Sequence, residues 1–293
     1  MLTLSFHVTA SQPKDYNTLK YLLSAHTVIL ITSPFPCYFS LTMCKTISVH
    51  SFRGGTGKSN ISANLSYSLT AAGKRVCVID TDIQSPGIHV LLGIKEPVSK
   101  TLNDFLWGKA PIEEVAVDVS KNLGFTDGRS YLIPCSMNMA EIAKVIKQGY
   151  DVSMLNKGFR EIIKNFDLDY LVIDTHPGLN EETLLSIAIS DALFVVLRPD
   201  QQDFQGTSVT VEVARKLKVK NLFIVVNNAL PYYDPAQIRK KVESVYGCPV
   251  ATVLPHSEQM AELGSADLIV KVQPEDRWSM GIKEVTEIVL NRI

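Results

Sequence analysis

Residues 51 to 60 read Ser51-Phe52-Arg53-Gly54-Gly55-Thr56-Gly57-Lys58-Ser59-Asn60, a glycine-rich run placed after a short apolar segment and before a helical pattern. Glycines let successive backbone N–H groups turn inward, and a helix N-terminus adds partial positive charge, so such a run is a cradle for phosphate oxygens. In that cradle Lys58 would neutralise the outer phosphates and the Ser59 hydroxyl would reach a Mg2+ ion. The common pattern G-x-x-x-x-G-K-[ST] asks for glycine where Phe52 stands. Two further groups of residues suit phosphate chemistry. Asp80 and Asp82 leave one apolar run, and Asp174 ends another, where carboxylates can hold a hard cation or orient water.

The elements that must position these groups follow from periodicity. Thr46–His50, Arg75–Asp80, Tyr170–Asp174, Ala192–Leu197 and Leu222–Asn227 are short runs rich in Val, Ile and Leu, the pattern of strands buried on both faces. Helical patterns lie between them, over about Ser59–Ala72, Val152–Asn165, Glu181–Ile189, Phe204–Lys216, Pro235–Val245, Ser257–Leu263 and Ser279–Arg292. Ser59–Ala72 stops at Gly73, a C-terminal signal. Strand–helix alternation without internal repeats predicts an α/β fold over residues 43–293: a single domain, mainly a parallel sheet with helices on both faces.

Composition sets the outer limits. The chain has 293 residues, 46% of them apolar, with 29 basic against 30 acidic side chains, so a disordered or strongly nucleic-acid-coating protein is excluded. Cys37, Cys44, Cys77, Cys135 and Cys248 are too scattered for a disulfide framework or a zinc knuckle, which favours a reducing, cytoplasmic setting. Residues 1–42 read differently. The run Tyr21–Cys44 carries no charge and is long enough to span a bilayer, but Pro34 and Pro36 interrupt it. The expectation is an extension that is poorly ordered or outside the native product, with Met43 as the start.

The run Arg53-Gly54-Gly55-Thr56-Gly57-Lys58-Ser59 resembles the deviant Walker A motif of the MinD/ParA family of P-loop ATPases. Arg75–Gly87, including Asp80 and Asp82, resembles that family's second strand and switch loop, and Tyr170–Gly178 its Walker B strand and following turn. The resemblance implies ATP and Mg2+ as cofactors. It implies a nucleotide site from Arg53, Gly54, Gly55, Thr56, Gly57, Lys58, Ser59 and Asn60, with Asn227 and Pro255 near the base. It places the metal on Ser59, Asp82 and Asp174, gives Lys58, Asp82 and Arg53 catalytic roles, and leaves Asp80 to support the metal shell. Arg53 stands where the family usually has a signature lysine reaching across an ATP-dependent homodimer; a planar guanidinium is not interchangeable with an ammonium there. Arg198–Thr207 resembles the family's nucleotide-sensing stretch, in which Asp203 could instead cap a helix. His176, alone in its turn, reads as structural.

The functional expectation is an ATP-hydrolysing switch, slow and partner-stimulated, that organises a cargo on the nucleoid or a membrane. Two other readings stay open: a regulatory adaptor with little hydrolysis, or an ATP-dependent ligase of the dethiobiotin synthetase type. For the surface, Arg215, Lys216, Lys218, Lys220, Arg239, Lys240 and Lys241 outnumber the acidic residues of their stretch and could bind DNA phosphates weakly. The apolar face of Gly281–Ile293 fits a packed last helix better than a membrane anchor. No motif supports an iron–sulfur or kinase role.

Overall fold

Short aliphatic runs with no polar face are stable only where both faces are covered. In the computed structural model, which describes residues 44–95, 98–126 and 129–293, they pair side by side into one sheet. The extension expected over residues 1–42, and Met43, lie outside the described residues. The strands are β1 (Lys45–His50), β2 (Val76–Asp80), β3 (Val117–Asp118), β4 (Ser130–Ile133), β5 (Tyr170–Asp174), β6 (Ala192–Leu197), β7 (Asn221–Ala229) and β8 (Val250–Pro255), in the order β3-β4-β2-β5-β1-β6-β7-β8. Every neighbouring pair is parallel except β3 with β4.

Period-two alternation divides the strand residues between two layers. Ile47, Val49, Val76, Val78, Val172, Phe194 and Val225 pack on one face with helix Lys58–Ala71 and the last helix, Arg277–Arg292. On the other face Cys77, Ile79, Leu171 and Ile173 meet helix Ser153–Phe166, while Leu193, Val195, Ile224 and Val226 meet helices Gln201–Lys216 and Pro235–Tyr246. Strand β1 is the exception in chemistry. Its Ser48 is fully buried and donates to the Ser186 carbonyl at 3.1 Å, and the Ser190 hydroxyl donates to Ser48 at 2.7 Å, so the polar face of the central strand is satisfied by helix Glu181–Ile189 and the residue capping it.

The predicted strands and helices are present with ends shifted by a residue or two, apart from helix Gln201–Lys216, which starts three residues before the predicted Phe204. The predicted cap there is corrected: Asp200, not Asp203, caps this helix, accepting from the backbone N–H of Gln202 and Asp203. Strands β3, β4 and β8 and helix Met139–Gln148 were not legible. β3 and β4 are too short to show a period, and helix Met139–Gln148 buries only Val145 among its apolar residues.

The last helix lies so close to β8 that Gly281 has no room for a side chain: a Cβ there would sit 2.3 Å from Leu254 Cδ2 and 3.0 Å from Thr252 Oγ1. Both neighbours are buried and cannot swing away. Overpacking costs about 1–3 kcal/mol, against a helix-propensity gain of at most about 1 kcal/mol for replacing glycine. Gly281→Ala is therefore expected to lower the stability by about 1 kcal/mol, read as a reduced midpoint in urea; an unchanged or raised midpoint would show that the helix can move off β8.

Candidate active site

In a parallel sheet all strand ends that lead into helices lie at one edge, so the loops after β1, β2, β5 and β7 meet. The loop after β1 is the glycine-rich run. Gly55 and Gly57 have φ of 73° and 95°, left-handed values that only glycine adopts without strain. Gly57 is doubly constrained, because a Cβ there would lie 2.3 Å from Asn227 Nδ2. The loop is braced from below: Asn227 Nδ2 donates to the Thr56 carbonyl at 2.8 Å, and Trp278 Nε1 donates to Asn227 Oδ1 at 3.1 Å. The turn after β5 braces it from the side, with Gly178 N–H donating to the Ser51 carbonyl at 3.2 Å.

Phe52 fills the position of the missing first glycine and lies across helix Gln201–Lys216. A Cβ on Gly206 would come within 2.2 Å of the Phe52 ring, so Gly206 is the notch that accepts it. Arg53 follows. Its guanidinium lies 3.5 Å from Asp203 Oδ1 and 3.9 Å from Asp200 Oδ1 while remaining 41% exposed. Asp203 is buried and also accepts from Arg198, through the backbone N–H at 2.9 Å and Nε at 3.0 Å. The signature position is thus held by its own chain's acidic helix start.

The charged centre lies at the start of helix Lys58–Ala71. Lys58 is buried, which pushes its pKa down, and the nearby carboxylates of Asp174, Asp82 and Asp80 oppose that shift. Asp174 is buried at the end of β5; burial raises its pKa to about 6, opposed by Ser59, Lys58 and Ser62. Ser62 donates to Asp174 Oδ1 at 2.9 Å, a contact the sequence pattern did not single out, although Ser62 lies one helical turn after Ser59. Asp80 pairs in register with Asp174 and is pushed well above the usual carboxylate range by burial and then by Asp174. One of its oxygens accepts from Asp82 N–H at 3.0 Å, and the other, Oδ2, is buried without a partner. Asp82 Oδ1 accepts from His176 Nδ1 at 2.7 Å.

His50, at the end of β1, is another group that sequence reasoning missed. It is fully buried, its Nδ1 lies 2.8 Å from Thr175 Oγ1, and its Nε2 has no partner. Thr175 Oγ1 already donates to the Val49 carbonyl at 3.0 Å, so it accepts from His50, which fixes the imidazole proton on Nδ1.

The structure thus brings Arg53, Gly54, Gly55, Thr56, Gly57, Lys58, Ser59 and Asn60 into one loop and helix start, with Asp80, Asp82 and Asp174 on adjoining strand ends. Asn227 lies beneath the loop with both ends of its amide engaged within the chain, so base reading would require it to exchange a partner. Pro255 pairs with Ala229 at the ends of β7 and β8, next to the contact of His256 Nδ1 with Asn228 Oδ1 at 2.7 Å. Of the basic stretch, Arg215 donates to the Tyr246 and Gly247 carbonyls and Arg239 to the Val250 carbonyl, while the five lysines are exposed. Among the described residues no helix is long and apolar enough to cross a membrane.

Residues 44–228 match the family model described as an AAA domain. An uncharacterized ATP-binding protein of Methanocaldococcus jannaschii is 26% identical over 247 residues, covering 83% of this chain and 86% of that protein. The flagellum site-determining protein YlxH of Helicobacter pylori is 26% identical over 259 residues, covering 85% of this chain and 83% of its own length. The septum site-determining protein MinD of Pyrococcus horikoshii, solved in complex with Mg-ADP, superimposes with a TM-score of 0.70 at 23% identity, covering 85% of this chain and 97% of that one.

The buried histidine gives the fold an acid sensitivity that can be isolated. Burial first, then the Lys58 charge, lowers the His50 pKa from 6.5 to about 3. The unfolded chain binds a proton at this histidine below 6.5 and the folded protein does not, so stability is lost as the pH falls from 6.5 toward 3. His50→Asn keeps an N–H for Thr175 but cannot titrate. The stability advantage of the natural chain over this variant should shrink by about 2 kcal/mol between about pH 7 and pH 5. Urea unfolding at the two pH values measures it; a constant difference would mean that His50 takes up its proton as readily in the folded state as in the unfolded one.

Proposed function

The chain belongs to the AAA-domain family, among the MinD/ParA-type P-loop ATPases, and on that basis we propose that it is an ATP-binding and ATP-hydrolysing switch that dimerises on ATP and positions a cargo on a cellular surface. The observation that carries this reading is the buried Lys58, set at a left-handed glycine turn beside Asp174, Asp82 and Asp80. A buried ammonium at the start of a helix suits the phosphates of a nucleotide, and two of the similar proteins are described with ATP or Mg-ADP. Positioning is supported by the site-determining relatives.

The donor set fits Mg2+. Ser59 and the carboxylates of Asp82 and Asp174 are hard oxygen donors, and the unpartnered Oδ2 of Asp80 can accept from a hydrated ion. Among the described residues no group of three or more His, Cys, Asp or Glu could hold a metal alone, as expected for an ion that shares its coordination with phosphates and water. When bound, Mg2+ would supply charge neutralisation at the phosphates. The chain's own residues would do the rest. The backbone N–H groups of Gly54–Lys58 orient the phosphates, Lys58 stabilises charge as the terminal phosphoryl group departs, and Asp82 orients the attacking water. Arg53 would reach a second protomer's phosphates, exchanging its pairing with Asp203 and Asp200 for that contact.

Turnover of this kind is slow until a partner completes the site. The protein would work in the cytoplasm with an activating or cargo protein, and the exposed Lys216, Lys218, Lys220, Lys240 and Lys241 would give weak, salt-dependent contact with DNA.

Three variants test the reading. Lys58→Ala should weaken ATP binding by about 100-fold or more, read by calorimetry, because the phosphates lose a buried cation. Asp82→Ala should bind ATP normally but hydrolyse it about 100-fold more slowly. In the Asp82→Ala background, Arg53→Ala should reduce ATP-dependent dimerisation in the ultracentrifuge while leaving monomer binding intact. Unchanged ATP affinity for Lys58→Ala would overturn the nucleotide-site assignment.

A further inference from the structure

The contact between His176 and Asp82 joins residues 94 positions apart. It follows from register. Asp80 and Asp174 pair across β2 and β5, and Asp82 and His176 each lie two residues beyond them, so the two chains leave the sheet side by side. Both backbones are tied down: Thr81 N–H and Oγ1 both donate to the Asp174 carbonyl at 2.9 Å, Asp82 N–H donates to Asp80, and the His176 carbonyl accepts from Thr183 Oγ1 at 3.3 Å. Between these anchors the Asp82 side chain still has two free torsions. Its Oδ1 accepts from His176 Nδ1 at 2.7 Å and from Ser85 N–H at 3.2 Å, and these contacts fix which oxygen faces which way. The Asp82 oxygen is the acceptor of this short contact and His176 Nδ1 its donor.

We propose that His176 is a positioning residue for hydrolysis: its Nδ1–H holds Oδ1 of Asp82, so that Oδ2 is presented to the attacking water. The inference rests on the reading of Asp82 as the water-orienting carboxylate. Misplacing a catalytic group by an ångström costs about 100-fold in rate, whereas a hydrogen bond across two loops costs little to form once both backbones are fixed. His176 therefore acts on the rate through Asp82 and not on nucleotide affinity.

The test uses the atom positions of the ring. An Asn amide nitrogen falls near the place of Nδ1, and a Gln amide nitrogen near that of Nε2. Steady-state hydrolysis of Mg-ATP by the full chain should fall about tenfold in kcat for His176→Leu and His176→Gln, with KM within about twofold, and should be restored to within about threefold by His176→Asn. Adding His176→Leu to Asp82→Ala should slow it no further, because both changes remove the same arrangement. Equal rates for the Asn and Gln variants, a natural rate for His176→Leu, or an additive double variant would overturn the inference. If His176→Leu does not fold, the Asn and Gln pair decides alone. A natural rate for Asp82→Ala would overturn the role of Asp82 and this inference with it; a slow Asp82→Ala beside a fast His176→Leu would overturn the inference only.

Discussion

An ammonium removed from water costs several kcal/mol unless anions lie close by, and the arrangement around Lys58 answers that requirement before any ligand arrives. Asp80, Asp82 and Asp174 counter its burial, yet two of them are themselves too buried to be comfortable as anions, and both are pushed upward in pKa. The site is held short of full satisfaction, with Asp80 Oδ2 and Thr56 Oγ1 buried and unpartnered. The sheet is what makes this tolerable. Parallel pairing of β2, β5 and β1 fixes the carboxylates and the glycine loop on elements that cannot relax apart without breaking the core.

Much of this was legible in the residues. Thr46–His50 followed by Arg53–Ser59 announced a strand, a phosphate turn and a helix, because buried parallel strands leave aliphatic runs and a phosphate turn needs glycine at positive φ. Asp174 and Asp82 were legible through their places at strand ends. What stayed hidden depends on tertiary distance. Nothing local marks Ser62 as a partner of Asp174, His50 as a buried donor to Thr175, or Trp278 as the far end of the support under Thr56. Asp203 lies in a stretch that reads by resemblance as nucleotide-sensing, with a helix cap as the alternative; its partners, Arg198 and Arg53, come from the preceding strand end and from a loop 150 residues away.

The pair Phe52–Arg53 shows how one departure from a pattern is absorbed by another. A glycine at position 52 would leave the surface of helix Gln201–Lys216 uncovered at Gly206; the phenyl ring fills that notch and so sets the direction of the next residue. Arg53 then reaches the acidic helix start, where Asp200 satisfies backbone donors and Asp203 balances two guanidinium groups. Steric fit and charge pairing thus converge on the same loop end. A change at position 206, remote in sequence from the phosphate turn, would be felt at position 53.

The support beneath the turn has an optical consequence. Trp278 is one of two tryptophans in the chain, it is buried, and its indole N–H ends on the same Asn227 amide that holds the Thr56 carbonyl. Indole emission responds to the loss or gain of a hydrogen bond at this nitrogen, so the chain carries a built-in fluorophore wired by one side chain to the phosphate loop. Any movement of Thr56 that asks Asn227 to rotate would be passed to the ring, and the last helix would report, as light, what happens at the end of the first strand.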